Sequence, residues 1–385
     1  MSAFEFAAAN RIIFGAGKLN ELGPLAAGLG TRPLVVSGHA SDAIPRLREI
    51  LSAQKLDWAG LSVRGEPRVD MIRAGLQVAR QRGCDMVIGL GGGSILDTGK
   101  ALAILLTNKG DIVDYLEVIG KGKTFTNPPL PYIAIPTTAG TGAEATRNAV
   151  IESPEHGVKV SLRSPLMLPR LALVDPELTY SLPPALTAST GLDALTQLIE
   201  PFVSIKSNPL TDALCREGMR HAARSLRRAY ENGADAQARE GMSLASLFGG
   251  LALANAALGA VHGFAGPLGG MLHAPHGALC ARLLPLVMEA NLKALEARQP
   301  ENPARTRYAE VAQILTGDKN ASASDGVTWV RELVGDLKVA PLSAYGLTRE
   351  RFPEAVEKTM KASSTKGNPI PLTEAELAGI LERAM

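Results

Sequence analysis

Short apolar runs alternate with helical patterns through the first half of the chain. Arg11–Gly15, Pro33–Ser37, Asp85–Leu90, Pro131–Ile135 and Leu171–Val174 read as strands. Helical spacing follows the second of these, around Ile44–Ala53, and the third, near Ile95–Leu106. Continuous apolar strands separated by helices predict a mostly parallel sheet covered on both faces, which binds ligands at the carboxyl ends of its strands. Asn148–Ser164 reads as a hairpin, with its turn at Ser153–Gly157, where Pro154 and Gly157 suit the required backbone angles.

After Pro183 and Pro184 strand signals fade, and Ala, Leu, Glu and Arg recur at helical spacing to Met385. The expected organisation is an α/β dinucleotide-binding domain over 1–182 and a helical, metal-binding and catalytic domain over 183–385. The short linker predicts that the two sit close, with a cleft between them. Met242–Val261 is apolar enough to suggest a membrane span. Ser243, Ser246 and Asn255 favour a buried core helix running straight into His262.

The chain has 385 residues, room for two cores, and a formal net charge of +2. So small a charge gives no reason to expect a nucleic-acid or anionic-membrane partner, and 4% aromatic residues give little for base stacking. The three cysteines, Cys84, Cys215 and Cys280, are widely spaced and form no Cys-x-x-Cys pair. Neither a disulfide framework nor a thiolate zinc motif is expected, and a reducing cytoplasm fits. The first residues lack a basic start followed by an apolar stretch, so no secretory signal is expected.

Two loops carry candidate cofactor chemistry. Gly89-Leu90-Gly91-Gly92-Gly93-Ser94 joins an expected strand to an expected helix, where backbone amides can approach a pyrophosphate. A tight turn needs the same glycines, and Ser94 is equally a candidate helix N-cap with Asp97 in the first turn. Pro136–Glu144 also follows a strand. It places the hydroxyls of Thr137, Thr138 and Thr141, and two more glycines, at the same sheet edge. Lys159 either neutralises a phosphate or hydrogen-bonds a ribose, or else is a solvated surface lysine. The second candidate is metallic. Three of the six histidines, His262, His273 and His276, lie in one stretch, and Asp193 and Gln197 are four apart on an expected helix. A carboxylate, an amide and imidazoles suit Fe(II) or Zn(II). Hydrogen-bonded helix-end histidines are the alternative reading. No Ser-His-Asp or Cys-His arrangement is legible from the spacing.

Together these pieces resemble the iron-containing (group III) alcohol dehydrogenases over nearly the whole chain. The resemblance rests on Gly91–Ser94 with Asp97 and Lys100, Pro136–Glu144, Gly191–Thr196 and His262–Gly277. It implies a Rossmann-like domain followed by an all-helical domain, the dehydroquinate synthase-like architecture. It also implies NAD or NADP in the cleft and a homodimer. By position, Gly92, Gly93 and Ser94 would hold the pyrophosphate, and Asp97 joins the cofactor set. Thr137, Thr138, Thr146, Asn148 and Lys159 would meet the nicotinamide half. Asp193, His262 and His276 would ligate the metal, with Gln197 where the family usually has histidine. Gly266 stands where a further histidine is usual, which opens a pocket beside the metal, and His273 is the candidate to compensate catalytically. NAD-preferring members tend to carry an acidic residue after the second strand. This chain reads Ser37-Gly38-His39 there, so NADP is expected to be tolerated, and His39 is a candidate phosphate contact.

The leading expectation is an NAD(P)-dependent oxidoreductase interconverting a small alcohol and an aldehyde or ketone, with the metal as Lewis acid. A metal-free carbonyl reductase of the maleylacetate reductase type is the alternative. Retention of Asp193, His262 and His276 argues against it. A dehydroquinate synthase-like lyase and a non-catalytic nucleotide-binding protein fit the motifs less well.

Overall fold

The computed structural model describes residues 3–38 and 43–385. His39, a candidate phosphate contact, lies outside the described residues. The chain divides into two compact units: one of residues 8–138 and 142–180, the other of the N-terminal residues as far as Ala7, Ala139–Thr141 and Ser181–Met385.

The first unit is built on strands β1 (Ile12–Phe14), β2 (Pro33–Gly38), β3 (Ala59–Val63), β4 (Met86–Gly91), β5 (Tyr132–Pro136) and β8 (Leu171–Val174), with β6 (Asn148–Ser153) and β7 (Val158–Arg163) as a separate hairpin. The sheet runs β1-β8-β5-β4-β2-β3, with every pair parallel. Helices α1 (Leu22–Ala27), α2 (Ala43–Ala53), α3 (Val69–Gln81) and α4 (Gly93–Leu105) complete the unit. Every residue of β4 and β5 is buried, which is why both read as unbroken apolar runs. β3 escaped the sequence reading because Ala59-Gly60-Leu61-Ser62-Val63 mixes small and polar residues and buries only Ala59 and Val63. From β2 the chain moves outward to β3, whereas from β4 it moves the other way to β5. The strand order therefore diverges between β2 and β4, the kind of position where such sheets bind ligands.

The second unit holds α5 (Pro184–Val203), α6 (Pro209–Glu231), α7 (Ala236–Asn255), α8 (Ala260–Leu272), α9 (His276–Arg298), α10 (Ala304–Thr316), α11 (Ala323–Asp336), α12 (Phe352–Lys361) and α13 (Glu374–Ala384). Helix α5 is buried almost all round from Gly191 to Val203 and packs against α6, α7, α9 and α10, so it is central. The continuous helix expected across Met242–Val261 is broken. Helix α7 stops at Asn255, and α8 starts at Ala260 after a 96° change of direction. Asn255 secures the break, because its amide accepts from the Ala7 backbone N–H and donates to the Ala7 carbonyl. The break puts His262 in the first turn of α8. Among the described residues no single helix is long and apolar enough to cross a membrane.

Candidate functional site

In the α/β unit the loops after β4 and β5 adjoin. The Thr137 N–H donates to the Gly91 carbonyl at 3.0 Å, and a Cβ on Gly92 would lie 3.2 Å from Thr138 Cγ2. Helix α4 begins at Gly93 with Gly92 as N-cap and no side-chain cap, so Ser94 lies inside the first turn instead of capping it. Uncapped first-turn amides of a thirteen-residue helix suit an anion.

Not every glycine here serves a ligand. A Cβ on Gly89 would lie 2.5 Å from Tyr132 Oη, and one on Gly91 would lie 2.4 Å from Ile95 Cγ1. Gly140 belongs to the helical unit, where a Cβ would lie 2.6 Å from Thr190 Cβ on α5; Gly142 has φ of 57°. These glycines have packing or backbone reasons of their own.

Asp97 and Thr146 are occupied within the protein. The buried Lys100 ammonium lies 3.1 Å from Asp97 Oδ1 and donates to Thr146 Oγ1 at 2.8 Å and to the Asn148 carbonyl. Asp97 Oδ2 accepts the Val150 N–H at 2.9 Å. This network ties α4 to the hairpin. Lys159 is no solvated surface lysine: its side chain is 11% exposed and lies 3.4 Å from Glu66.

Glu144, in the same loop, is buried, and desolvation pushes its carboxyl up to about 7 against the opposing pull of its own backbone N–H and of Lys100. In the unfolded chain it ionises near 4.5. Between these values the folded protein holds more protons than the unfolded chain, so this group's contribution to stability falls as pH rises through that window. The loss is on the order of 3 kcal/mol. Glu144→Gln is expected to remove this slope, making the variant the more stable protein at pH 8.5 but not at pH 4. Urea unfolding at both values checks it; parallel pH dependences in the two proteins would rule the account out.

The helical unit gathers the other candidates. Asp193, Gln197 and Glu200 occupy positions i, i+4 and i+7 of α5 and are all buried. His262 enters from α8. His276 and Cys280, one turn apart, enter from the start of α9. One donor atom each from Asp193, His262, His276 and Cys280 lies within 4.8 Å of all the others. Asp193 Oδ1 is 3.5 Å from His262 Nε2 and 3.8 Å from His276 Nε2, and the two imidazole centroids are 5.4 Å apart. The half-exposed His276 is the member nearest solvent.

Glu200 sets the chemistry of His262. Its Oε1 accepts the Val261 N–H and its Oε2 meets His262 Nδ1, each at 2.7 Å. A carboxylate only accepts, so Nδ1 carries a proton and donates. In the neutral ring Nε2 then bears a lone pair, directed at another acceptor, Asp193 Oδ1. Both atoms are buried without a hydrogen-bond partner, as is Gln197 Oε1. Buried polar atoms of native proteins are normally paired. Two facing lone pairs are satisfied by a cation, so these residues fit a metal ion.

The electrostatics agree. Burial pulls the His262 and His276 pKa values down, but the Cys280 sulfur and Asp193 outweigh it, with Glu200 adding to the effect at His262. His262 is held well above the usual imidazole range, and His276 is pushed up to about 9. Burial raises the Asp193 carboxyl, yet the adjoining His262 and His276 imidazoles hold it below the carboxylate range. The pocket attracts positive charge.

His273 stands apart. It is an exposed residue closing α8 in the left-handed conformation, and its ring is not among the clustered donors. At Gly266, one turn after His262, an added Cβ would meet nothing within 4 Å, so the space expected there is open. Sequence reading missed Glu200 and Cys280. The signals were seven residues from Asp193 and four from His276, the helical repeats that place side chains on one face.

An α/β unit with an open loop edge and a helical unit with this buried donor set suit a metal-dependent enzyme. The chain belongs to the iron-containing alcohol dehydrogenase family: the family model "Iron-containing alcohol dehydrogenase" matches residues 9–176, and "Fe-containing alcohol dehydrogenase family, C-terminal" matches 187–385. It is 38% identical over 324 residues to alcohol dehydrogenase 4 of Schizosaccharomyces pombe, covering 84% of this chain and 74% of the relative. A solved structure of 1,3-propanediol oxidoreductase superposes with a TM-score of 0.93 at 34% identity over all of both chains. Sulfoacetaldehyde reductase from Bifidobacterium kashiwanohense, solved with NAD+, superposes with a TM-score of 0.88 at 28% identity over 99% of this chain and 98% of that one.

Proposed function

We propose that this chain interconverts a small primary alcohol and its aldehyde, using NAD(H) and a divalent metal held in the helical unit. The observation that carries the reading is the pair of buried, unpartnered atoms, Asp193 Oδ1 and His262 Nε2, facing each other at 3.5 Å in a member of this family. When bound, the metal supplies Lewis acidity toward the substrate oxygen, and the nicotinamide takes or gives the hydride.

The chain's own residues bind and orient. Asp193, His262 and His276 hold the metal, and Glu200 keeps the His262 proton on Nδ1 so that Nε2 is available. Gly92 at the N-cap, and Gly93 and Ser94 in the first turn of α4, offer backbone amides to the pyrophosphate. Thr137 and Thr138 offer hydroxyls beside them, and Lys159 offers a cation. Asp97 and Thr146 act by positioning, through their bonds to Lys100 and the hairpin. Strand β2 ends on Ser37–Gly38 with no carboxylate to repel a 2′-phosphate, which supports use of NADP(H) as well.

The test is NADH- and NADPH-linked turnover of primary alcohols and short aldehydes, before and after chelation. Activity is expected to vanish on metal removal and return when Zn(II) or Fe(II) is restored. Chelator-insensitive reduction by a protein free of metal would overturn the reading in favour of a metal-free carbonyl reductase.

A further inference from the structure

Building on the metal reading above, we propose that Cys280 supplies a thiolate as the fourth ligand, completing an Asp193-His262-His276-Cys280 site that selects Zn(II) over Fe(II). Gln197 occupies the other candidate position, but three observations favour the sulfur.

The first is geometry. Cys280 lies one helical turn after His276 on α9, so both side chains leave the same face, and Sγ is 3.7 Å from His276 Nε2. Tetrahedral zinc, with Zn–S near 2.3 Å and Zn–N or Zn–O near 2.0–2.1 Å, requires donor-to-donor edges of about 3.3–3.6 Å. The measured edges of 3.5, 3.7 and 3.8 Å lie within a few tenths of an ångström of that figure. All remaining edges are within 4.8 Å.

The second is charge. Asp193, His262 and Cys280 are buried. With a thiolate, two anionic ligands balance a divalent ion. With the neutral amide of Gln197 instead, charge balance would fall to the buried Glu200 carboxylate, which lies behind the His262 ring and one imidazole further from the ion. Binding is balanced as a simple exchange: the thiol proton passes to solvent as the sulfur–metal bond forms, with no change of oxidation state.

The third is the condition of the partners. Asp193 Oδ1 and His262 Nε2 are buried, unpaired and clustered with Sγ, so the sulfur is not an isolated core cysteine; Gln197 Oε1 is equally unpaired, and the softness of sulfur is what separates the two candidates. A soft thiolate strengthens the preference for zinc that the Irving–Williams order already gives over Fe(II).

The experiment is optical titration of the full chain, stripped of metal, with Co(II), whose visible d–d bands report binding and whose near-ultraviolet charge-transfer band reports a thiolate ligand. Both are expected in the wild-type protein. The charge-transfer band should survive Cys84→Ser and Cys215→Ser and disappear in Cys280→Ser, and Zn(II) should displace bound Fe(II) from the wild-type site. The wild-type, Cys84→Ser and Cys215→Ser spectra decide the matter even if Cys280→Ser fails to fold. Cobalt d–d bands without charge transfer would overturn the thiolate ligand and leave the metal site standing. Failure of the wild-type protein to bind cobalt would overturn both.

Discussion

Asp193→Asn is expected to lower turnover by about 10³-fold or more and to strip the protein of metal, while NAD(H) binding and folding persist. The reason is electrostatic. Asp193 brings a full negative charge to a buried position beside two imidazoles, and its Oδ1 has no hydrogen-bond partner to lose. Asparagine keeps the shape and removes the charge that holds a cation; losing a Lewis acid worth several kcal/mol corresponds to thousands-fold in rate. Folding should survive, because asparagine keeps the shape of the side chain and Oδ1 makes no hydrogen bond within the protein that the change would break. The residues proposed to hold the nucleotide lie in the other compact unit, so nucleotide affinity should not change. Elemental analysis, nicotinamide fluorescence and thermal unfolding separate the three effects. Wild-type turnover in this variant would end the metal mechanism.

Glu200→Gln should be the most damaging change among residues that touch neither metal nor substrate. Glu200 accepts two N–H groups, one on each oxygen. A glutamine side chain can accept one of them but turns an NH₂ toward the other. If the NH₂ faces His262, the ring is driven to the tautomer with its proton on Nε2, where it no longer has a lone pair for a metal. Partners of this kind typically contribute 10–100-fold in metal affinity or activity, and a loss of about that size is expected here. Gly259 belongs to the same device, since a Cβ there would lie 2.7 Å from Glu200 Oε1. Metal titration against a chelator of known affinity reads the loss directly. Unchanged affinity in Glu200→Gln would remove Glu200 from the site.

Strands β4, β5 and β8 were legible because every residue in them is buried and the runs are almost wholly apolar. The hairpin was legible because Pro154 and Gly157 mark its turn, and Gly157 adopts φ of 63°. Strand β3 was not, since Ala59-Gly60-Leu61-Ser62-Val63 mixes small and polar residues, whereas the other edge strand, β1, shows as Ile12-Ile13-Phe14 although it is only half-buried. The α7–α8 break was also hidden. Ala256, Ala257 and Leu258 suit a helix, and the bend is held by Asn255 gripping Ala7, a contact 248 residues away in the chain.

The sequence by itself determined the order of elements, the two glycine- and threonine-bearing loops, the same-face spacing of Asp193 with Gln197, and the family. Each is a local pattern or an ordered series of them. Only the tertiary structure decided which donors meet. It brought Glu200 to His262 and Cys280 to Asp193, left His273 exposed, and committed Asp97 to Lys100 and the hairpin. Helical periodicity says which residues share a face, but the packing of α5, α8 and α9 decides which faces converge. A metal site depends on that convergence, because its ligand atoms must come within a few ångströms of one another whatever their separation along the chain.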